Sequence, residues 1–348
     1  MTNDAGKYAQ HPIEAGNARP LFPSNEYALI DRIQRCLPPV RTDHPYELTI
    51  GDDAAVRLNS KAGERLIITA DVFVENVHFS VDTMTFKEIG CRAMAANLSD
   101  CAAMGAQPDS AVIQLVFPKD NANINTSVEQ IYTGFADMCS RWDFPIVGGD
   151  LSGGDSWIIG ITLIGSLLHG RILKRTGIID GDALWVTGTP GMSAAGLACI
   201  RRWGRKNVPA KYQQFVDAHV CPIPKIDEGK AFAACESVHA MMDLSDGLSK
   251  DASTLCYDNN LGFIFDKGIN IPASMTELAK DLGCNPLDWY FHGGEEYELL
   301  VSCGNGYTPA GENMIRLGHF TSEYTGIYTH RDDGGMERLV SRSWDHCR

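Results

Sequence analysis

Apolar positions along the chain follow two alternating patterns. Short runs rich in β-branched residues read as strands: Leu66 to Ala70 (LIITA), Ala111 to Phe117 (AVIQLVF), Ile146-Val147 and Trp157 to Leu168 (WIIGITLIGSLL). Stretches of helical period lie between them. From Ser24, Leu29, Ile33 and Cys36 share one face until Pro38-Pro39 stops the helix. Thr85 followed by Glu88 has the capping-box spacing, and Ile89, Ala93 and Ala96 continue its apolar face towards Met104. Ser127 with Gln130 repeats that signal ahead of Ile131, Phe135, Met138 and Trp142. After Gly170 the grammar restarts, with strands over 183–187, 261–265 and 298–302 and helices over 193–203, over 227–238 and after Asp246. Strands alternating with helices, twice over, predict an α/β (α+β) chain of two domains. The boundary falls near residue 170, giving an N-terminal domain over 24–170 and a C-terminal α/β domain over 171–348. Residues 1–23 carry no periodicity and read as a flexible arm.

The length of 348 residues agrees with two domains at roughly 150 residues each. The formal net charge of −14 argues against a sequence-independent grip on nucleic acid, which needs a basic surface. It leaves room for a small phosphorylated substrate that arrives with a metal ion. No apolar run reaches the ~18–20 residues that span a bilayer, and MTNDAGKYAQHPIEAGNARP lacks the apolar core of a signal peptide. The eleven cysteines form no CxxC pair, so most read as small core residues of a soluble, reduced, cytoplasmic protein.

The usual phosphate-binding motifs are missing. There is no GxxxxGK[ST] and no GxGxxG after a strand. Aspartates instead stand beside glycines or at expected element ends: Asp52-Asp53 in GDDAAV, Asp71 after LIITA, Asp100 in NLSD, Asp150 in VGGD, Asp243 and Asp246 in MDLSDG. HGGEEYEL adds Glu295 and Glu296. Singly, each reads as a turn former or a helix N-cap. In an extended segment Asp52 and Asp53 would point opposite ways. As a set they stand where open α/β sheets place ligand crevices, beyond strand ends. Carboxylates converging there repel, and protonation or divalent cations offset that repulsion. Mg²⁺ fits, because it takes a few carboxylates together with substrate phosphates.

These motifs, in this order, resemble thiamine-monophosphate kinases, of the ATP-binding superfamily that includes aminoimidazole ribonucleotide synthetase. The carrying stretches are GDDAAV (51–56), ITADVFVENVHF (68–79), AMAANLSDCAAMGAQP (93–108), VGGD (147–150), RTG (175–177), GDALWVTGTPGMSAAGLA (181–198), MDLSDGLSKD (242–251), HGGEEYEL (292–299) and WDH (344–346). The resemblance implies a two-domain fold whose N-terminal sheets pair into a barrel across a homodimer interface. It implies Mg²⁺ held by Asp53, Asp71, Asp100, Asp150, Asp243 and Asp246, with Thr69 assisting. It implies ATP contacts from Tyr132, Gly149, Asp150, Arg175 and Ser245, and thiamine monophosphate contacts from His78, Glu295 and Trp344. Asp71, Asp100, Asp150 and Arg175 would carry catalysis. Two positions depart from the family pattern: Ala70 stands where a threonine is common, and Asn76 where a glycine is common, asparagine being the side chain that best tolerates left-handed backbone.

The implied reaction moves the γ-phosphate of ATP directly onto thiamine monophosphate, giving thiamine diphosphate without a covalent enzyme intermediate. Other readings stay open at this point: a related ATP-dependent synthetase with another acceptor, a non-catalytic nucleotide- or thiamine-phosphate-binding module, or a metal-dependent phosphatase.

Overall fold

The structure of the chain, a computed structural model, describes residues 28, 30, 33–34, 36–37, 45–58, 64–120, 123–167, 171–311, 313–331 and 333–345. The arm expected over 1–23, Leu29, Cys347 and His346 of the WDH motif lie outside the described residues. Ala28, Ile30, Ile33, Gln34 and Cys36 are helical, as the pattern from Ser24 predicts, and Ile33 and Cys36 are exposed.

Two sheets organise the fold. The first runs β1-β2-β3-β6-β4-β5, comprising β1 (Tyr46–Leu48), β2 (Ala55–Leu58), β3 (Arg65–Val74), β4 (Gln107–Pro118), β5 (Ile146–Gly154) and β6 (Ile158–Leu167). Only its β4–β5 pairing is parallel. The second runs β13-β12-β9-β11-β7-β10-β8, with β7 (Ala183–Val186), β8 (Val238–Leu244), β9 (Gly262–Phe265), β10 (Glu298–Cys303), β11 (Ile315–Thr321), β12 (Gly326–His330) and β13 (Met336–Arg338). Helices α1 (Phe86–Ala103) and α2 (Ile124–Trp142) accompany the first sheet. Helices α3 (Met192–Trp203), α4 (Gln213–Val220), α5 (Ile226–Ala233), α6 (Leu248–Asn259), α7 (Ala273–Leu282) and α8 (Pro286–His292) accompany the second. None of the described helices is long and apolar enough to cross a membrane.

α1 is the central element. It begins as its sequence predicts: Glu88 N–H donates to Thr85 Oγ1 at 3.2 Å, and Thr85 N–H donates to Glu88 Oε2 at 2.8 Å. It packs on α2, β3 and β6 on one side and on α5, β8 and β10 on the other. A helix enclosed in this way needs small residues all round, which explains its alanines. Its crossing with α2 is so close that a Cβ on Gly90 would lie 2.1 Å from Ile131 O, and one on Gly134 2.1 Å from Lys87 O.

Three expectations are corrected. β3 does not end at Ala70 but continues to Val74, so Asp71 lies within a ten-residue strand. Period-2 alternation then puts Ile67, Thr69, Asp71 and Phe73 on one face and Ala70 and Val72 on the other. α2 starts at Ile124 after Asn123, so Ser127 is an interior, buried helix residue rather than a cap. The helix expected over 227–238 ends at Ala233, and Val238 already opens β8. Of the ten described cysteines, all free, Cys91, Cys101, Cys139, Cys199, Cys256 and Cys303 are buried.

Candidate active site

A cavity of about 950 Å³ lies between the two sheets, and most of the acids singled out in the sequence line it: Asp52, Asp53, Asp71, Asp100, Asp243 and Asp246. Each comes from a different local device. The GDD segment is a turn rather than a strand, so both aspartates turn inward. Asp71 projects from the inner face of β3 and Asp100 from α1, while Asp243 is the penultimate residue of β8 and Asp246 precedes α6. Carboxylate oxygens of Asp53, Asp100 and Asp243 all lie within 4.8 Å of one another.

Neighbouring donors orient these oxygens. Thr69 Oγ1 donates to Asp100 Oδ2. Asp243 accepts from Ser99 Oγ at 2.8 Å on Oδ2 and from Ser245 Oγ at 3.1 Å on Oδ1. Arg175 donates Nε to Asp53 Oδ1 at 2.8 Å, and its Nη2 meets the same oxygen. Asp53 Oδ2 is buried and has no hydrogen-bond partner among the described residues. A buried carboxylate oxygen left bare carries a large desolvation cost. Here the Asp53 carboxylate also has those of Asp100 and Asp243 close by. Oxygen donors, mutual proximity and a bare lone pair together make the set that a hard divalent cation takes. The residues present therefore fit Mg²⁺.

The lining contains nine carboxyl side chains against three cationic ones, Arg175, Arg201 and Lys250. Burial, reinforced by Asp53, pushes Asp243 up to about 8 and Asp52 up to about 7. Burial, with Asp246 and Asp53 nearby, pushes Asp71 up to about 6. Asp100 rises well above the ordinary carboxylate range, first through burial and then through Asp71 and Asp243. Without a cation, protonation is the means by which this cluster relieves its repulsion.

The same cavity is also lined by His78, Glu295 and Trp344. His78 follows a turn in which Asn76 sits at φ +64°, so asparagine does fill the position that glycine commonly takes. That turn returns His78 Nδ1 to accept from Val74 N–H at 3.0 Å. In HGGEEYEL, Glu295 and Tyr297 both adopt left-handed backbone, at φ +63° and +56°. The two turns aim adjacent carboxylates apart. Glu295 faces the cavity, while Glu296 is buried and accepts from Gly191 N–H at 3.0 Å and Ser193 N–H at 3.1 Å at the start of α3. Trp344 is half-exposed.

Three sequence-derived residues do not line this cavity. Gly149 and Asp150 lie on β5, the edge strand, where Asp150 is exposed and accepts from Ser152 Oγ at 2.9 Å. Across the sheet Asp71 pairs with Ile161, Ile161 with Ile113, and Ile113 with Gly149. Three strand spacings, ~14 Å, therefore separate Gly149 from Asp71. Tyr132 is on α2, its ring edge-on to Phe135 at 5.2 Å.

Sequence reasoning missed Ser99, Lys250 and Asp251. Ser99 precedes Asp100 in NLSD and looks like an interior helix serine. Lys250 Nζ lies 2.8 Å from Asp246 Oδ2. Asp251 accepts from Gly247 N–H at 3.1 Å and Asp246 N–H at 3.2 Å, fixing the turn that presents Asp246. An acid in the first turn of a helix, four residues past the glycine of SDG, was the available signal.

Comparison with known proteins matches both halves of the chain. A family profile described as AIR synthase related protein, N-terminal domain, matches residues 51–167, and its C-terminal counterpart matches residues 180–308. The curated thiamine-monophosphate kinase of Synechococcus elongatus is 32% identical over 283 residues, covering 78% of this chain and 84% of that protein. The one from Escherichia coli K12 is 32% identical over 304 residues, 87% and 89% of the two chains. Among solved structures, one described as AaThiL complexed with AMPPCP and TMP superposes with a TM-score of 0.80 at 27% identity, over 93% of this chain and 97% of that one. The thiamine-monophosphate kinase of Stenotrophomonas maltophilia K279a gives 0.69 at 30% identity, over 89% and 97%. The hydrogenase maturation protein HypE, at 18% identity and a TM-score of 0.63, shares the fold. With both halves of the fold matched in order, the chain belongs to the thiamine-monophosphate kinase family of AIR synthase-related proteins.

Proposed function

We propose that the chain transfers the γ-phosphate of ATP to thiamine monophosphate, giving ADP and thiamine diphosphate. The observation that carries this reading is the convergence of Asp53, Asp71, Asp100, Asp243 and Asp246 in one cavity that His78 and Glu295 also line, in a chain of this family. The acceptor phosphate has a second pKa near ~6 and is mostly dianionic at neutral pH, so it needs no general base. The obstacle is the approach of two anions, and phosphoryl transfer is chiefly positioning and charge stabilisation.

We read Asp53, Asp71, Asp100, Asp243 and Asp246, with Thr69 assisting, as the residues that hold Mg²⁺. When bound, the ion supplies the positive charge that phosphates of both substrates require. The chain's own residues prepare that charge. Arg175 occupies Asp53 Oδ1 and leaves Oδ2 without a hydrogen-bond partner among the described residues. Ser99 and Ser245 fix both oxygens of Asp243. Arg175 and Ser245 lie beside the acids, where the phosphates of ATP would reach them. His78, Glu295 and Trp344 would receive thiamine monophosphate.

A homodimer accounts for the residues left outside. β5 is an edge strand with Val147 and Leu151 exposed, a surface open to pairing with another sheet. If N-terminal sheets of two copies pair into a barrel, Tyr132, Gly149 and Asp150 of one copy complete the nucleotide site of the other. The two sheets support a domain boundary near residue 170.

One assay tests the central reading. Incubation of the protein with ATP, Mg²⁺ and thiamine monophosphate should give equal amounts of ADP and thiamine diphosphate. ADP release that ignores the acceptor, or inorganic phosphate released from thiamine monophosphate without ATP, would overturn it.

A further inference from the structure

One fully buried cation has no part in the reading above. Arg92 stands on α1, two turns before Asp100, with 0% of its surface exposed. Its Nη2 pairs with Glu295 Oε2. Its Nη1 donates to the carbonyl of His219 at the end of α4 and lies 2.9 Å from His219 Nδ1. Arginine has no acceptor, so Nδ1 accepts, and the ring proton of His219 is on Nε2. Ser193 Oγ, in the first turn of α3, lies 3.1 Å from the same Nδ1. Burial and the adjacent guanidinium keep this histidine neutral, holding its pKa well below the usual value.

A buried ion pair is a poor device for stability, since apolar side chains of similar volume often serve as well or better. The choice of partner is also telling. Glu296, fully sequestered beside it, would shield a structural arginine better, yet Arg92 takes Glu295, whose carboxyl group is 32% exposed and faces the cavity. Glu295 is further held at φ +63°, a strained backbone that persists only where its surroundings over-determine it.

We infer that Arg92 is a positioning residue for thiamine monophosphate: by engaging Oε2 of Glu295 it aims the carboxylate so that Oε1 accepts from the amino group of the ligand's aminopyrimidine. The inference rests on the functional reading above and deepens it. It also gives α1 two duties, since Arg92 orders the acceptor end of the cavity and Asp100 belongs to the acidic end.

The test is a double-mutant cycle by steady-state kinetics, with ATP and thiamine monophosphate varied separately. Arg92→Met and Glu295→Gln should each raise the KM for thiamine monophosphate about tenfold or more, an effect of ~1.4 kcal/mol, and leave the KM for ATP within about twofold. The double variant should be no worse than the worse single one, because both changes disable one contact. Losses that multiply, or KM values that rise together for both substrates, would overturn the positioning role. If Arg92→Met does not fold, Arg92→Lys carries the test, because an ammonium cannot engage Glu295 and the His219 carbonyl in one planar fork. A folded Arg92→Lys with its KM for thiamine monophosphate raised about threefold supports the role, and unchanged constants overturn it. A wild-type protein that does not turn over thiamine monophosphate overturns the functional reading itself, and the ligand named here with it.

Discussion

Ser99 donates its hydroxyl to Asp243 Oδ2 at 2.8 Å, joining residues 144 positions apart. The bond ties α1 to β8, and so the first sheet's central helix to the second sheet's edge strand. Ser99→Ala removes one of two hydroxyl donors from a fully buried carboxylate. A hydrogen bond to a charged group contributes ~1.5–3 kcal/mol. The Mg²⁺ concentration giving half-maximal activity should rise severalfold while the KM for thiamine monophosphate holds steady. A titration curve that overlays the wild type would detach Ser99 from the metal site.

Asp71 lines the cavity with the other acids from within β3. Asp71→Asn keeps the shape of the side chain and removes its charge. Turnover should drop at least a hundredfold, in the range of ~2.7–4 kcal/mol seen when one preorganised electrostatic contact is lost. Near-wild-type turnover at saturating Mg²⁺, in a variant with an unchanged thermal midpoint, would remove Asp71 from catalysis.

His78 lines the same cavity as the acids. His78→Ala should raise the KM for thiamine monophosphate well above any change in that for ATP. Equal shifts for both substrates would contradict its assignment to the acceptor.

The raised carboxyl groups make stability depend on pH and on cations. Asp71, Asp52 and Asp243 lie at about 6, 7 and 8 in the folded chain, against an ordinary value of 3.8. The folded state therefore binds protons that the unfolded chain has already released across this window. Stability contributed by these protons is complete below the ordinary value and is lost as pH rises through 6 to 8. The thermal midpoint of metal-free protein should fall from about pH 5 to about pH 8, and Mg²⁺ should raise it more at the higher pH. A cation effect of equal size at both ends would argue against metal binding by these groups.

A site completed by a second copy predicts complementation. Asp71→Asn and Asp150→Asn would each be inactive alone. Mixed, unfolded and refolded together, they should recover about a quarter of wild-type activity, because half the dimers are mixed and one of their two sites is intact. No recovery from an exchanged mixture would place both residues in the same copy's site.

Many of the acids that line the cavity are legible in the sequence because they sit in short, distinctive motifs, though only some of those motifs are turns. Asp53, Asp100, Asp243 and Asp246 were identifiable from GDD, NLSD and MDLSDG. The capping box at Thr85 fixed the start of α1 to the residue. Other features were not legible for physical reasons. The continuation of β3 to Val74 is hidden because Asp71 interrupts an apolar run, and only pairing with β6 along its whole length sustains the strand. The Ser127 signal misleads because the N-cap of α2 is Asn123, four residues earlier, with no side-chain cap bond to mark it. Arg92 carries no sequence signal, since nothing local reveals that Glu295 lies opposite, 203 positions later in the chain.

α1 carries Asp100 in a helix that is buried almost all round, and its crossing with α2 leaves no room for a side chain at Gly90 or Gly134. Asp100 therefore stands on an element seated by backbone contact rather than on a loop. One methyl group added at Gly90 or Gly134 would meet a backbone oxygen at 2.1 Å, so the two helices would have to part, and α1 carries Asp100.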